Sequence, residues 1–208
     1  MIFSEKFPSE SYPVMEHFYT LQGEGYHQGT AAYFIRLAGC DVGCVWCDVK
    51  ESWNENAHPI MKINDILQSV KKYPDCKTVV LTGGEPLMHD LTPLTQALHE
   101  NGYQIHIETS GAHPVSGHID WICLSPKKFK PPIENILSIA NELKIIVFNA
   151  SDFLWAEQFA EKVNPNCKLF LQPEWEKSKL VSPLIIEYIQ QHPQWRVSLQ
   201  IHKYLNIP

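Results

Sequence analysis

Short apolar runs alternate with amphipathic stretches along the chain. Tyr33–Ala38, Thr78–Thr82, Gln104–Thr109, Trp121–Ser125, Lys144–Phe148 and Lys168–Gln172 are mostly dense in Val, Ile, Leu or Phe, as strands covered on both faces are. A seventh run, Trp195–Ile201, differs. There Trp195, Val197, Leu199 and Ile201 alternate with Arg196, Ser198, Gln200 and His202, which predicts a strand with one polar face.

The stretches between them carry helical spacing. Ile63, Ile66, Leu67 and Val70 form one apolar stripe, stopped by Pro74. Thr92 and Pro93 read as N-cap and first helical residue, Leu94, Ala97 and Leu98 as the buried face, and Gly102 as the residue past the C-cap. Ile133, Ile136, Leu137 and Ala140 repeat the scheme, as do Trp155, Phe159 and Val163, then Ile185, Ile186 and Ile189 before Pro193. Alternating strand and helix predicts parallel βα units with right-handed crossovers. At 208 residues the chain is short for a closed eight-fold barrel, for which about 250 is usual. The expected fold is therefore α/β, an incomplete and open TIM-type βα barrel of mostly parallel strands. A doubly wound sheet is the alternative.

No repeat or linker divides the chain, which reads as one domain over 1–208 with a loose leader at 1–11. Hydrophobic residues are 44% and charged residues 19%, as in a soluble globular protein. The net charge of −6 argues against a nucleic-acid partner. Lys128 and Lys130, in the short basic run Pro126–Lys130, read as a solvated loop. No apolar run is long enough for a membrane span, and Met1–Pro13 lacks the apolar core of an export signal, so the cytoplasm is expected. Six cysteines in such a chain point to metal or catalysis before disulfides.

In parallel α/β folds ligands bind at the carboxyl ends of strands, and the unusual polar residues fall there. Gly39-Cys40, Thr82-Gly83-Gly84-Glu85-Pro86, Glu108-Thr109-Ser110-Gly111, Ser125-Pro126-Lys127, Gln172-Pro173 and His202-Lys203 each follow a predicted strand. Cys40, Cys44 and Cys47 have the spacing C-x3-C-x2-C in a glycine-bearing loop. Three thiolates so close suit one iron–sulfur centre, normally held by four. The missing ligand leaves an iron open to another molecule. A zinc knuckle completed by His58 is the competing reading. Cys76, Cys123 and Cys167 read as buried small apolar residues.

The cysteine motif followed by Gly83-Gly84-Glu85-Pro86 resembles radical S-adenosylmethionine enzymes. Leu21-Gln22-Gly23-Glu24-Gly25, Phe34-Ile35-Arg36-Leu37, Cys47-Asp48, Ile107–Gly111, Ser125-Pro126-Lys127, Leu171-Gln172-Pro173 and the terminal His202–Pro208 narrow this to a resemblance to the 7-carboxy-7-deazaguanine synthases, from about Tyr12 to the end. The resemblance implies a shortened barrel and a [4Fe–4S] cluster on Cys40, Cys44 and Cys47. It implies S-adenosylmethionine against Trp46, Cys47, Asp48, Gly84, Ser125, Pro126, Lys127, Gln172, Pro173, Glu174 and Trp175. It implies a substrate, 6-carboxy-5,6,7,8-tetrahydropterin, against Leu21, Gln22, Gly23, Glu24, Arg36, Thr82, His202 and the carboxylate of Pro208. The implied reaction begins when a 5′-deoxyadenosyl radical takes hydrogen from C6 of the pterin. Ring contraction and loss of ammonia then give 7-carboxy-7-deazaguanine, a precursor of queuosine and other deazapurines. An electron donor such as flavodoxin or ferredoxin, a homodimer and Mg2+ are also implied. A glycyl-radical activating enzyme shares the cysteine spacing and is the alternative.

In one place the chain departs from the family. Many members follow the last cluster cysteine with Asp-Thr, whose hydroxyl ligates magnesium, whereas this chain has Asp48-Val49. Valine offers no oxygen to a hard cation. Magnesium is therefore expected to be bound more weakly or to be dispensable, with Ser52 or Asp48 as substitute ligands.

Overall fold

The computed structural model describes residues 10–208. Most of the proposed leader, 1–9, lies outside the described residues. Its far end is corrected, because Ser11 already pairs with Lys62 in a sheet.

Among the described residues nine strands form one sheet. They are β1 (Ser11–Leu21), β2 (Ala31–Leu37), β3 (Ile60–Lys62), β4 (Thr78–Gly83), β5 (Gln104–Thr109), β6 (Trp121–Leu124), β7 (Glu142–Val147), β8 (Lys168–Pro173) and β9 (Trp195–Val197). Their spatial order is β3-β1-β2-β4-β5-β6-β7-β8-β9. From β2 to β9 every neighbouring pair is parallel, while β1 runs antiparallel to both β2 and β3. The first and last strands of this order do not meet, so the expected incomplete barrel is open.

The helices are α1 (Ile63–Val70), α2 (Thr92–Glu100), α3 (Glu134–Ile139), α4 (Ser151–Ala160), α5 (Ser178–Gln191) and α6 (Ile201–Leu205). The predicted stripes of α1 and α3 supply Ile66, Val70 and Ile136 to the core, beside Ile35, Leu81, Ile107, Leu143 and Leu171 from the sheet. Each such burial stabilises by about 1.5–3 kcal/mol. In α5, Ile185 is buried while its neighbour Ile186 is exposed, because successive helical positions diverge by a quarter turn or more.

Three local readings are corrected. Strand β1 was not expected. Its Pro13 cannot donate to a ladder, and a register shift between Val14 and Glu16 breaks the alternation. At α2 the cap is not Thr92: Leu91 is the N-cap residue, and Asp90 Oδ1 accepts the Thr92 N–H at 3.0 Å. Gly102 does follow the C-cap, at φ +79°. Finally, the alternating run from Trp195 is strand only to Val197, and Val197 is exposed. Ser198 turns the chain inward, donating its amide to Leu171 O at 2.9 Å and its hydroxyl to Gln172 Oε1 at 2.6 Å. Ile201–Leu205 is therefore helix, not strand.

Candidate active site

A cavity of about 550 Å3 opens at the carboxyl ends of the parallel strands. Its lining includes Cys40, Cys44, Trp46, Cys47 and Asp48 from the loop after β2, Thr82 and Gly84 after β4, and Ser125 and Lys127 after β6. Gln172, Pro173, Glu174 and Trp175 line it from β8. Leu21, Gln22, Gly23 and Glu24 come from the end of β1, Arg36 from β2, and His202 and Pro208 from the C-terminal segment. Of the residues expected to hold the cluster, S-adenosylmethionine or the pterin, only Pro126 is not in the lining.

The loop after β2 is clamped to the loop after β4. Gly84 N–H donates to Leu37 O at 2.9 Å, and Glu85 N–H to Gly39 O at 2.8 Å. A Cβ on Gly84 would lie 2.3 Å from Gly39 O and 2.8 Å from Cys40 Cβ. Gly83, at φ +134°, likewise leaves no room for a side chain beside Leu37. These glycines thus bring two loops together, a constraint that their number in the motif does not reveal. Glu85 holds the arrangement from beneath. It is 1% exposed, and its carboxylate accepts from Leu87 N–H, Thr109 Oγ1 at 2.6 Å, and the amide and hydroxyl of Ser110.

All six cysteines are unpaired. Burial pushes the Cys44 thiol up to about 11, a rise that the nearby Lys127 ammonium opposes. Lys127 donates to Ser125 O at 2.8 Å and Oγ at 2.6 Å, and lies 5.7 Å from the centre of the Trp46 ring. Three soft donors on one clamped wall, with no fourth cysteine in the cavity lining, fit an iron–sulfur cluster with one open iron. His58, the fourth ligand of the competing zinc knuckle, is not among the residues that line the cavity with the three cysteines, and its Nε2 lies 2.7 Å from Glu51 O.

The opposite wall is a buried charge network that the linear motifs only half disclosed. Lys144, 3% exposed, pairs with Glu24 and, at 3.1 Å, with Glu108 Oε2. Gln22 Nε2 donates to Glu108 Oε1 at 3.0 Å, and Gln200 Nε2 to Glu24 Oε1 at 2.9 Å. Burial alone would raise the Glu24 carboxyl, but the Lys144 ammonium and its amide partners hold it down at about 2. Lys144 sits within an apolar-looking strand, so nothing in periodicity marked it. The C-terminal segment completes this wall. Ile201 N–H donates to Gly23 O at 3.0 Å, and a Cβ on Gly23 would lie 2.1 Å from His202 Nδ1. His202 therefore reaches the cavity from α6 and not from a strand.

Two expected roles meet other partners. Arg36 Nε is 2.6 Å from Glu16 Oε1 on the adjacent strand, so its strand position already has a counter-charge. Ser52 is buried, donates its hydroxyl to Val49 O at 2.6 Å and is not among the residues lining the cavity. Asp48 stays exposed, 3.0 Å from Lys203 Nζ.

Residues 34–144 match the family model described as the radical SAM superfamily. The chain is 59% identical over 199 residues to 7-carboxy-7-deazaguanine synthase of Flavobacterium psychrophilum, covering 96% of this chain and 94% of the relative. It is 50% identical to the Synechocystis protein of the same name, covering 95% and 94%. The crystal structure of QueE from Escherichia coli is similar at a TM-score of 0.79 and 35% identity, covering 91% of this chain and 93% of that one.

Proposed function

We infer, for a chain that belongs to the radical S-adenosylmethionine superfamily and within it to the 7-carboxy-7-deazaguanine synthases, that the cavity converts 6-carboxy-5,6,7,8-tetrahydropterin to 7-carboxy-7-deazaguanine with loss of ammonia. One observation carries this reading. The cysteine loop, the Gln22-Gly23-Glu24 turn and the C-terminal Pro208 all line a single cavity. A glycyl-radical activating enzyme has no need of the last two.

The cluster would be held by Cys40, Cys44 and Cys47, and together with S-adenosylmethionine it supplies a carbon-centred radical able to remove hydrogen from the substrate. The chain's own residues do the rest. Trp46, Asp48, Gly84, Ser125, Lys127 and Gln172–Trp175 form the wall assigned to S-adenosylmethionine. Gln22, Glu24, Thr82, His202 and the Pro208 carboxylate form the wall assigned to the pterin. Carboxylate oxygens accept hydrogen bonds, so Glu24 suits the N–H donors of an aminopyrimidinone edge. Arg36 is assigned the substrate carboxylate, by exchange of its exposed Glu16 contact. The clamped loops would fix the position of the bound pterin and exclude water, which protects a radical from side reactions.

Magnesium is assigned a weaker hold than in relatives with threonine at position 49, by Asp48, substrate and water. A flavodoxin- or ferredoxin-type electron donor, a homodimer and a cytoplasmic setting complete the reading. No helix among the described residues is long and apolar enough to cross a membrane.

The test is anaerobic reconstitution with iron and sulfide, followed by a reductant, S-adenosylmethionine and the pterin. Mass spectrometry should find 7-carboxy-7-deazaguanine, and Cys44→Ala should abolish it. If 5′-deoxyadenosine forms without that product, the substrate assignment is wrong. If fully loaded protein yields neither, the radical reading falls.

A further inference from the structure

At the rim of the sheet opposite the cavity, three side chains with metal-ligating atoms converge. His99 lies in the last turn of α2, and His118 and Asp120 lie in the segment entering β6. One imidazole nitrogen from each histidine and one Asp120 oxygen all lie within 4.8 Å of one another. His99 Nε2 is 2.8 Å from Asp120 Oδ2, and the two imidazole centres are 4.4 Å apart.

A simple ion pair accounts for His99 and Asp120. It does not account for His118. That ring is exposed, and its nitrogens make no hydrogen bond among the described residues. Asp120 Oδ1 is equally without a hydrogen-bond partner there.

The backbone beneath these donors is fixed. Asp120 Oδ2 accepts the Ile105 N–H at 2.7 Å, and Asp120 N–H donates to Ile105 O at 2.9 Å, which ties the residue to the start of β5. Burial would raise the Asp120 carboxyl, but the Ile105 N–H and the two histidines outweigh it and keep the group ionised below the usual range. His118 N–H donates to Thr95 Oγ1 at 3.3 Å, one turn before His99 on the same helix. Gly117, at φ +77°, permits that approach, since a Cβ there would lie 2.3 Å from the same oxygen. Ile119, between the two donors, packs against the core. With the three ligand atoms already within 4.8 Å of one another, side-chain adjustment alone would bring them onto one ion.

Two imidazoles and one carboxylate are a borderline donor set. Magnesium and calcium prefer all-oxygen shells, whereas zinc and its neighbours take imidazole readily. Tetrahedral zinc bonds of about 2.0–2.2 Å place adjacent donors about 3.3–3.6 Å apart, so the 2.8 Å His99–Asp120 hydrogen bond would open by under 1 Å to admit the ion. Water would fill the fourth position at this exposed site.

We propose that His99, His118 and Asp120 form a site for a first-row transition dication of the zinc class, separate from the reaction cavity. Bound there, the ion joins the end of α2 to the approach of β6, so its role is to brace the fold.

The test uses the reconstituted holoenzyme, because the cluster then occupies the competing cysteines. Wild type and His118→Gln are equilibrated with zinc sulfate, desalted and analysed for zinc and iron. Wild type is expected to retain about one zinc per chain more than the variant, at equal iron content and equal turnover. Its thermal midpoint should rise with zinc while that of the variant does not. Equal zinc retention in both proteins overturns the site. So does zinc uptake matched by iron loss, which would place the metal on the cysteines.

Discussion

Lys144 Nζ lies 3.1 Å from Glu108 Oε2 while pairing on its other side with Glu24, so one buried ammonium serves two carboxylates. Removing it strands both. Lys144→Met is expected to destabilise the protein by about 3–5 kcal/mol, as when one partner of a buried ion pair is lost. Urea unfolding of the reconstituted protein measures this. A loss below about 1 kcal/mol, the level of exposed pairs, would mean that the carboxylates reach solvent without it.

Gly23 presses on His202 with no room for a methyl group. Gly23→Ala should push α6 outward and loosen the wall assigned to the pterin. A displacement near 1 Å there can cost about 100-fold, so kcat/KM should fall on that scale while iron content is unchanged. An unaltered kcat/KM would show that this contact does not shape the working cavity.

Burial, reinforced by the adjacent His27, pushes the His106 imidazole down to about 4. The folded form therefore binds its proton more weakly than the unfolded chain, whose imidazole titrates at its ordinary 6.5. This contribution is fully present above that ordinary value and drains away as pH falls toward the folded one, by up to about 3 kcal/mol. Unfolding free energies measured from neutral to mildly acid pH should show this slope, and His106→Phe should flatten it. A slope unchanged in the variant would assign the acid sensitivity elsewhere.

Val49 stands at the cavity wall with no side-chain oxygen to offer. Val49→Thr should lower the magnesium concentration that half-activates turnover, with little change at saturating metal. Strong activation of the wild type by micromolar magnesium would refute the weaker hold proposed for this chain.

Much of this was legible in the residues, for physical reasons. The parallel strands are covered on both faces and so are nearly continuous apolar runs, and Gly102 marks the end of α2 because it takes a left-handed φ. Cys40, Cys44 and Cys47 announce themselves by spacing. Strand β1 stayed hidden because Pro13, Glu16 and His17 interrupt its pattern, and its half-exposed face has no strict alternation. The Trp195–Ile201 run misled because alternation is local. Ser198 is bound to Gln172 and Leu171 from a strand far away in sequence, and that contact ends the extended chain. Lys144 and Gln200 were invisible for the same reason, since their meaning lies in partners at Glu24.

The wall that closes on Gly23 and Glu24 is built from both ends of the molecule. A chain is made from its N-terminus onward, and domains begin to fold as they emerge. A polypeptide stalled just short of Gln200 would carry every parallel strand and every cysteine. It would lack Gln200, Ile201 and His202, which close on the wall assigned to the pterin. On the proposed reading, the sheet can assemble before the wall assigned to the pterin is closed, so folding and competence for turnover are separate events in the life of each molecule.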